Sequence, residues 1–208
     1  MPFDPLTCMF TCDTFVGNVI NQINHGGPVM MKATPADAGF YRCEDKKGNN
    51  IPLYELTASN DPTTAFWAYW CPYDANRTAF TTLTGHAEWM FTATMDGCTF
   101  GVGRAAPDGT VVVGHANANR HQTKKSISRM AQTQRAELQA ELGMHASMLQ
   151  PKNYRFRGTF SKKRDVSSAT FGVRDGSTWK FYAHLYRKQV NMTTGSVTYT
   201  YRETKQIG

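Results

Sequence analysis

Two residues in the middle of the chain, Cys98 and His115, have the side chains of a cysteine-based enzyme. Cys98 follows Gly97 at a turn and leads into an apolar stretch. His115 ends the next apolar stretch, ValValValGlyHis, after a turn that includes residues 107–109. A β-hairpin folded at that turn brings the start of one strand beside the end of the other. The spacing therefore predicts that the thiol and the imidazole are cross-strand neighbours.

A thiol beside an imidazole is the simplest activated nucleophile. A free cysteine is only a few per cent thiolate at neutral pH, and a nearby imidazolium shifts it strongly toward thiolate. Gly97 allows the backbone to approach a substrate carbonyl, as an oxyanion donor requires. The alternatives are a small buried apolar Cys98 and a structural His115. Two other histidines fit other roles better than a catalytic one: an exposed position for His121, and a structural or rim role for His86.

The elements around this pair predict an α+β fold in one domain spanning residues 1–208. Residues 1–12 read as an irregular N-terminal extension. Helical spacing of apolar residues follows Asp13, and a second, basic amphipathic helix is predicted over about residues 122–150. Strands are predicted for most of the rest of the chain. We expect mixed β-sheets packed as a sandwich-like core and flanked by these two helices.

Charge is concentrated in one segment of this 208-residue chain of net charge +7. Residues 120–164 contain eleven Lys and Arg against Glu137 and Glu141, a net charge of 11 − 2 = +9. Such a segment suits an acidic protein surface, a nucleic acid or an anionic membrane. We expect this basic segment to dock on an acidic protein surface. A competing hypothesis is a basic RNA- or protein-binding module without catalysis, but no recognised RNA motif supports it.

The remaining composition narrows the class of protein. Five cysteines are an odd number that does not suggest a disulfide framework. The spacing of Cys8 and Cys12 lacks a second Cys/His pair nearby, so no metal site is predicted. No apolar run approaches the roughly 20 residues of a membrane span, and we see no cleavable signal peptide. We expect a monomer without a cofactor or a nucleic acid partner.

Residues 95–98, Met-Asp-Gly-Cys, resemble the nucleophile motif Leu-Ser-Gly-Cys of the glutamine-deamidating bacterial toxins. This family includes the catalytic domain of cytotoxic necrotizing factor and, more similar here, Burkholderia lethal factor. The Phe91-Thr92 pair stands upstream at the lethal factor's spacing. The C-terminal part of the chain also resembles that of the lethal factor, at Tyr186, residues 199–201 and residues 205–206. Met95 and Asp96 replace the Leu and Ser of the motif, and the loop between Cys98 and His115 is longer.

The resemblance implies a fold of the cytotoxic necrotizing factor type and a protein-glutamine deamidase, a hydrolase acting through a thioester. It implies Cys98 as nucleophile, His115 as general acid and base, and the backbone carbonyl of Thr92 as the group that orients His115. Met95, Asp96 and Gly97 would support the motif. It also implies a toxin or effector, secreted or translocated from a bacterium, that acts in the host cytosol.

The same resemblance indicates what kind of protein would be modified. The closer likeness, to the lethal factor, favours a translation-initiation RNA helicase as the host substrate, with protein synthesis blocked as the result. The more distant likeness leaves open a deamidase or transglutaminase acting on Rho-type GTPases.

Overall fold

The computed structural model describes residues 3–12, 27–74, 76–117, 127–154 and 166–208. Strands make up 51% of it and helices 11%. The expected α+β sandwich flanked by helices is therefore wrong, because the main element is a nine-stranded sheet that curls into a nearly closed barrel. The helix predicted after Asp13 lies outside the described residues.

Nine strands form the barrel-like sheet, in the order β1-β4-β2-β5-β7-β11-β12-β13-β3. Three neighbouring pairs are parallel, namely β1 with β4, β5 with β7, and β13 with β3. The strands are β1 (Met9–Thr11), β2 (Pro28–Pro35), β3 (Tyr41–Glu44), β4 (Leu53–Ala58), β5 (Phe66–Cys71), β7 (Trp89–Thr92), β11 (Val166–Asp175), β12 (Thr178–Val190) and β13 (Val197–Ile207).

The two ends of this sheet approach each other where the chain turns from β3 into β4. The amide of Ile51 donates to the carbonyl of Cys43 over 2.9 Å, and Glu44 forms an isolated bridge with Asn50. The segment predicted to be an irregular N-terminal extension contributes β1, because Met9 pairs with Leu53 of β4. Residues 9–11 are buried, and so they belong to the core rather than to an extension.

A second, four-stranded sheet carries the strands on either side of the predicted hairpin, in the order β10-β8-β9-β6. Its strands are β6 (Thr78–Leu83), β8 (Thr99–Val102), β9 (Val111–Ala116) and β10 (Ser147–Leu149). The main helix, α1 (Ile127–Leu142), ends eight residues before the predicted end at about residue 150. Gly143 has a φ of 87°, and its amide donates to the carbonyl of Gln139. That left-handed conformation is a common helix stop. A single turn, α2 (Pro151–Tyr154), follows β10.

Helix α1 packs on one face of the four-stranded sheet at two glycines. A Cβ on Gly114 would lie 2.6 Å from Leu138, and one on Gly101 would lie 2.8 Å from Leu142. The absence of side chains at these positions allows the helix to approach the strands closely. Because successive strand residues point to opposite faces, Phe100, Val113 and His115 point to the other face, toward the barrel.

Two separate apolar cores result. One fills the barrel and is rich in aromatic rings, among them Phe10, Phe91 and Phe171. The other lies between the barrel and the four-stranded sheet and includes Cys71, Met90 and Phe100. No helix among the described residues is long and apolar enough to cross a membrane.

Candidate active site

The sheet register brings Cys98 and His115 to the same face of the four-stranded sheet. Strands β8 and β9 are antiparallel, as the hairpin prediction requires, and His115 lies directly opposite Phe100. Cys98 comes directly before β8 and two positions before Phe100. It packs in the same apolar core as Phe100, and continuing the alternation of the strand by one residue places its side chain on that face, diagonal to His115. Both residues are buried, with 3% of Cys98 and none of His115 exposed.

The turn of the hairpin is fixed by its own residues. Gly109 has a φ of 82°, and its amide donates to the carbonyl of Ala106 over 2.9 Å. The carboxylate of Asp108 accepts a hydrogen bond from the amide of Thr110 over 2.9 Å. This turn chemistry sets which residues pair across the strands, and thereby where His115 lies relative to Cys98.

Thr92 contacts His115 from the other sheet. Its hydroxyl oxygen lies 2.7 Å from Nδ1 of His115 and donates to the carbonyl of Cys71 over 2.9 Å. The hydroxyl has one proton, and the carbonyl takes it, so Nδ1 of His115 must be the donor to Thr92. The contact is therefore made by the Thr92 side chain, whereas the backbone carbonyl of Thr92 was predicted for that role.

This hydrogen bond determines which nitrogen of His115 is basic. With the proton on Nδ1, the lone pair of the neutral ring is on Nε2. Nε2 is buried and has no hydrogen-bond partner within the described residues. Burial lowers the pKa of His115 from 6.5 to about 4, so at neutral pH the ring is uncharged and can accept a proton.

The chain around Cys98 is attached to three different elements. Met95 exchanges two backbone hydrogen bonds with Ser168 at the start of β11. The carbonyl of Gly97 accepts from Nε2 of Gln134 over 3.1 Å, and the carbonyl of Cys98 accepts from the hydroxyl of Tyr154 over 2.7 Å. Neither Gln134 nor Tyr154 was connected with Cys98 from the sequence, because only the tertiary structure brings them to residues 97 and 98.

Three of the other thiols are poor nucleophiles at neutral pH. Cys71 is fully buried beside Thr92, and burial raises its pKa to about 12. Burial also raises the pKa of Cys43 to about 12 and that of Cys8 to about 11. At neutral pH these three groups are protonated, which leaves them poorly nucleophilic.

An exposed rim lies beside the buried pair. The ring of Tyr73 meets that of His115 edge to face at 5.4 Å between centroids. Its hydroxyl accepts from Nδ2 of Asn117 over 2.8 Å. Burial raises the pKa of Tyr73, and negative charge on Cys98 and on exposed Asp96 raises it further. Tyr73 was missed because it is the last aromatic residue of the run at residues 65–74, AlaPheTrpAlaTyrTrpCysProTyrAsp, which sequence alone predicts to be buried.

Several other residues were considered from the sequence, and the structure gives the exposure of some of them. Trp67 in that aromatic run was expected to be buried, but it is 54% exposed. His86 is exposed, as expected for a rim residue. His121 and most of the basic residues of the 120–164 segment lie outside the described residues. Among the described residues, no group of three His, Cys, Asp or Glu could hold a metal ion.

No family model and no curated protein matches the sequence.

Proposed function

We propose that this protein is a cysteine hydrolase that converts the side-chain carboxamide of a protein glutamine to a carboxylate. One arrangement carries the proposal: the strand register places Cys98 diagonal to His115, and the Nδ1 proton of the neutral His115 ring is held by Thr92. That hydrogen bond leaves the basic Nε2 without a partner among the described residues. An oriented imidazole beside a thiol is the arrangement that nucleophilic catalysis requires.

In the first half of the reaction, Nε2 of His115 takes the thiol proton as Cys98 attacks the carboxamide carbon. An S–C bond forms, and the carbonyl electrons move onto oxygen. When the carbonyl re-forms, the C–N bond breaks, and the imidazolium returns its proton to the departing ammonia. A thioester with Cys98 remains, and His115 is again neutral.

In the second half, water attacks the thioester carbon, and Nε2 of His115 takes one of the protons of the water. The C–S bond then breaks, and the proton returns to the sulfur of Cys98. The products are glutamate and ammonia, so that one carboxamide and one water are consumed in each cycle. The substrate gains one negative charge, which is enough to alter an interface or a switch on the modified protein.

The choice of glutamine rests on the likeness of residues 95–98 and of Phe91-Thr92 to the deamidating toxins. The same likeness leads us to propose a host protein as substrate and the host cytosol as the place of action. Because the likeness is closer to the lethal factor, a translation-initiation RNA helicase is the first target to test.

The test is a deamidation assay in a host-cell lysate made in heavy-oxygen water. Glutamine-to-glutamate conversion adds about 1 Da, and oxygen from the labelled water adds about 2 Da more, so sites modified in the assay stand apart from older ones. Wild type is compared with Cys98→Ala and His115→Ala. As a matched control, Cys71→Ala removes a thiol of the same core.

We expect labelled glutamate at one or a few sites, together with ammonia release, for wild type only. Cys71→Ala should retain activity to the extent that it folds, as circular dichroism would show. Identical peptide patterns from wild type and Cys98→Ala would rule the proposal out. If instead a lysate amine were incorporated in place of water, the enzyme would be a transglutaminase.

A further inference from the structure

Gln134 of helix α1 contacts the chain on both sides of Cys98. Its side chain is fully buried. Its Oε1 accepts from the hydroxyl of Thr99 over 2.7 Å, and its Nε2 donates to the carbonyl of Gly97 over 3.1 Å. The side-chain amide of Gln134 thus accepts from Thr99 and donates to Gly97, the two residues that flank the proposed nucleophile.

The second of these contacts sets the direction of the Gly97–Cys98 peptide. No cis peptide bond is present in the described residues, so the N–H of Cys98 points opposite to the carbonyl of Gly97. Because that carbonyl points at Gln134 on the helix side of the sheet, the N–H of Cys98 points away from α1. The side chains of Cys98 and His115 also lie on the face away from the helix.

The next peptide is held by a different device. The pairing of β10 with β8 ends at Leu149 opposite Phe100, so it does not extend to Cys98. Pro151 then begins α2 and has no N–H to donate. The hydroxyl of Tyr154 donates to the carbonyl of Cys98 instead. Two side chains therefore hold the carbonyls on either side of the Cys98 α-carbon. Gln134 holds the carbonyl of Gly97, and Tyr154 holds that of Cys98.

We propose that Gln134 is a positioning residue that aims the backbone N–H of Cys98 at the oxyanion formed during attack by the thiol. This inference rests on the proposed function for its natural substrate, but any acyl transfer to Cys98 forms the same oxyanion. A donor placed in advance stabilises that charge without reorganisation at the moment of reaction.

The experiment compares two reactions of the same thiol in the intact protein. p-Nitrophenyl acetate acylates Cys98 through a tetrahedral oxyanion: an S–C bond forms, and p-nitrophenolate leaves. Iodoacetamide alkylates Cys98 by direct displacement of iodide, and no oxyanion forms. The rate of each is measured at Cys98 by peptide mapping in wild type, Gln134→Met and Gln134→Glu. Methionine is similar in shape, whereas Glu keeps the acceptor for Thr99 and loses the amide donor to Gly97.

We expect acylation to fall about 10- to 100-fold in both variants while alkylation changes less than about 3-fold. Gln132→Met, at an exposed position of the same helix, should alter neither rate. Equal losses in both reactions, or no loss in either, would overturn the positioning role. If Gln134→Met fails to fold, Gln134→Glu and Thr99→Val give the same comparison, with a smaller acylation loss expected for Thr99→Val.

The same measurements separate this inference from the proposed function. A wild-type protein that acylates at Cys98, with the predicted dependence on Gln134, but modifies no glutamine would refute the deamidase alone. A Cys98 that reacts with neither reagent would refute both.

Discussion

The hydroxyl of Thr92 and Nδ1 of His115 lie 2.7 Å apart although they belong to different sheets. Thr92 ends β7 of the barrel-like sheet, and His115 lies in β9 of the four-stranded sheet. The proposed nucleophile and base are thus on one sheet, while the group that fixes the tautomer of the base is on the other.

Replacing Thr92 tests whether this hydrogen bond matters for catalysis. Thr92→Val preserves the shape but removes the acceptor for the Nδ1 proton, which allows the proton to move to Nε2. We expect kcat to fall about 10- to 100-fold with little change in KM, because the imidazole then presents the wrong tautomer. Thr92→Ser retains the hydroxyl and should stay within about 3-fold of wild type. Equal activity of Thr92→Val and wild type would exclude tautomer control by Thr92.

The pH dependence of activity should reflect the buried state of His115. Its pKa is lowered from 6.5 to about 4, and only the neutral ring can take a proton. We therefore expect the acid limb of kcat/KM to have an apparent pKa of about 4. Brief exposure to acid, with assays of recovered activity at neutral pH, separates this limb from acid unfolding. A limb near 6.5 would indicate that His115 is solvated or that another group titrates.

His184 should make the folded protein sensitive to acid. Its Nε2 donates to the carbonyl of Pro5 over 2.6 Å, and its Nδ1 accepts from the hydroxyl of Thr204 over 2.7 Å. Burial lowers its pKa from 6.5 to about 4. Between these values the unfolded chain binds the extra proton, so stability is complete above 6.5 and decreases as the pH falls toward 4.

The size of this effect can be measured by urea unfolding at several pH values. Each buried histidine of this kind is expected to lower the free energy of unfolding by roughly 3 kcal/mol across its range. His184→Gln should be less stable than wild type at neutral pH but lose less stability on acidification. His86→Gln, at an exposed site, should keep the slope of wild type. The prediction fails if the stability of His184→Gln also changes with pH at the wild-type slope.

Thiol labelling near neutral pH should distinguish Cys98 from the other cysteines. Cys8, Cys43 and Cys71 have pKa values raised to about 11, 12 and 12. We expect iodoacetamide to label Cys98 at least about 10-fold faster than these three, and His115→Ala to slow that labelling. Peptide mapping after short reaction times gives the individual rates. Uniform labelling across the cysteines would contradict a dyad of Cys98 and His115.

Gly114 should not accept a side chain. A Cβ there would lie 2.6 Å from Leu138 and 2.8 Å from Phe80. Gly114→Ala is therefore expected to destabilise the protein by about 1–3 kcal/mol, because helix α1 must move away from the sheet. Gly27→Ala, where nothing lies within 4 Å, is the matched control. Urea unfolding measures both, and equal stability of the two variants would argue against close helix packing at Gly114.

Local patterns in the sequence predicted more of the secondary structure than of the architecture. The turn at residues 107–109 and its flanking apolar runs led to the β8–β9 hairpin, because hairpin register depends on local turn chemistry. Closure of the barrel depends on pairs between distant strands, such as Met9 with Leu53. No local pattern determines such a pairing, and this is why a sandwich was expected instead.

The candidate site also combines local features, which the sequence indicates, with contacts between distant residues, which it does not. The hairpin that brings the chain at Cys98 near His115 could be predicted from its turn and its flanking apolar runs. The hydroxyl of Thr92 could not be distinguished from its carbonyl by sequence, since both are possible hydrogen-bond acceptors for an imidazole. Gln134 and Tyr154 are 36 and 56 positions from Cys98, and only helix packing and the end of β10 bring them to it.

Because the candidate site is divided between two sheets, the proposed catalysis would depend on how tightly those sheets are joined. If the four-stranded sheet separated slightly from the barrel, the hairpin would keep the thiol and the imidazole together, but Nδ1 would lose its acceptor. Activity would then disappear in mild denaturant before the strands themselves melt, because sub-global opening requires less free energy than complete unfolding. A partner that binds across the junction of the two sheets would have the opposite effect. It would raise turnover without contacting Cys98 or His115.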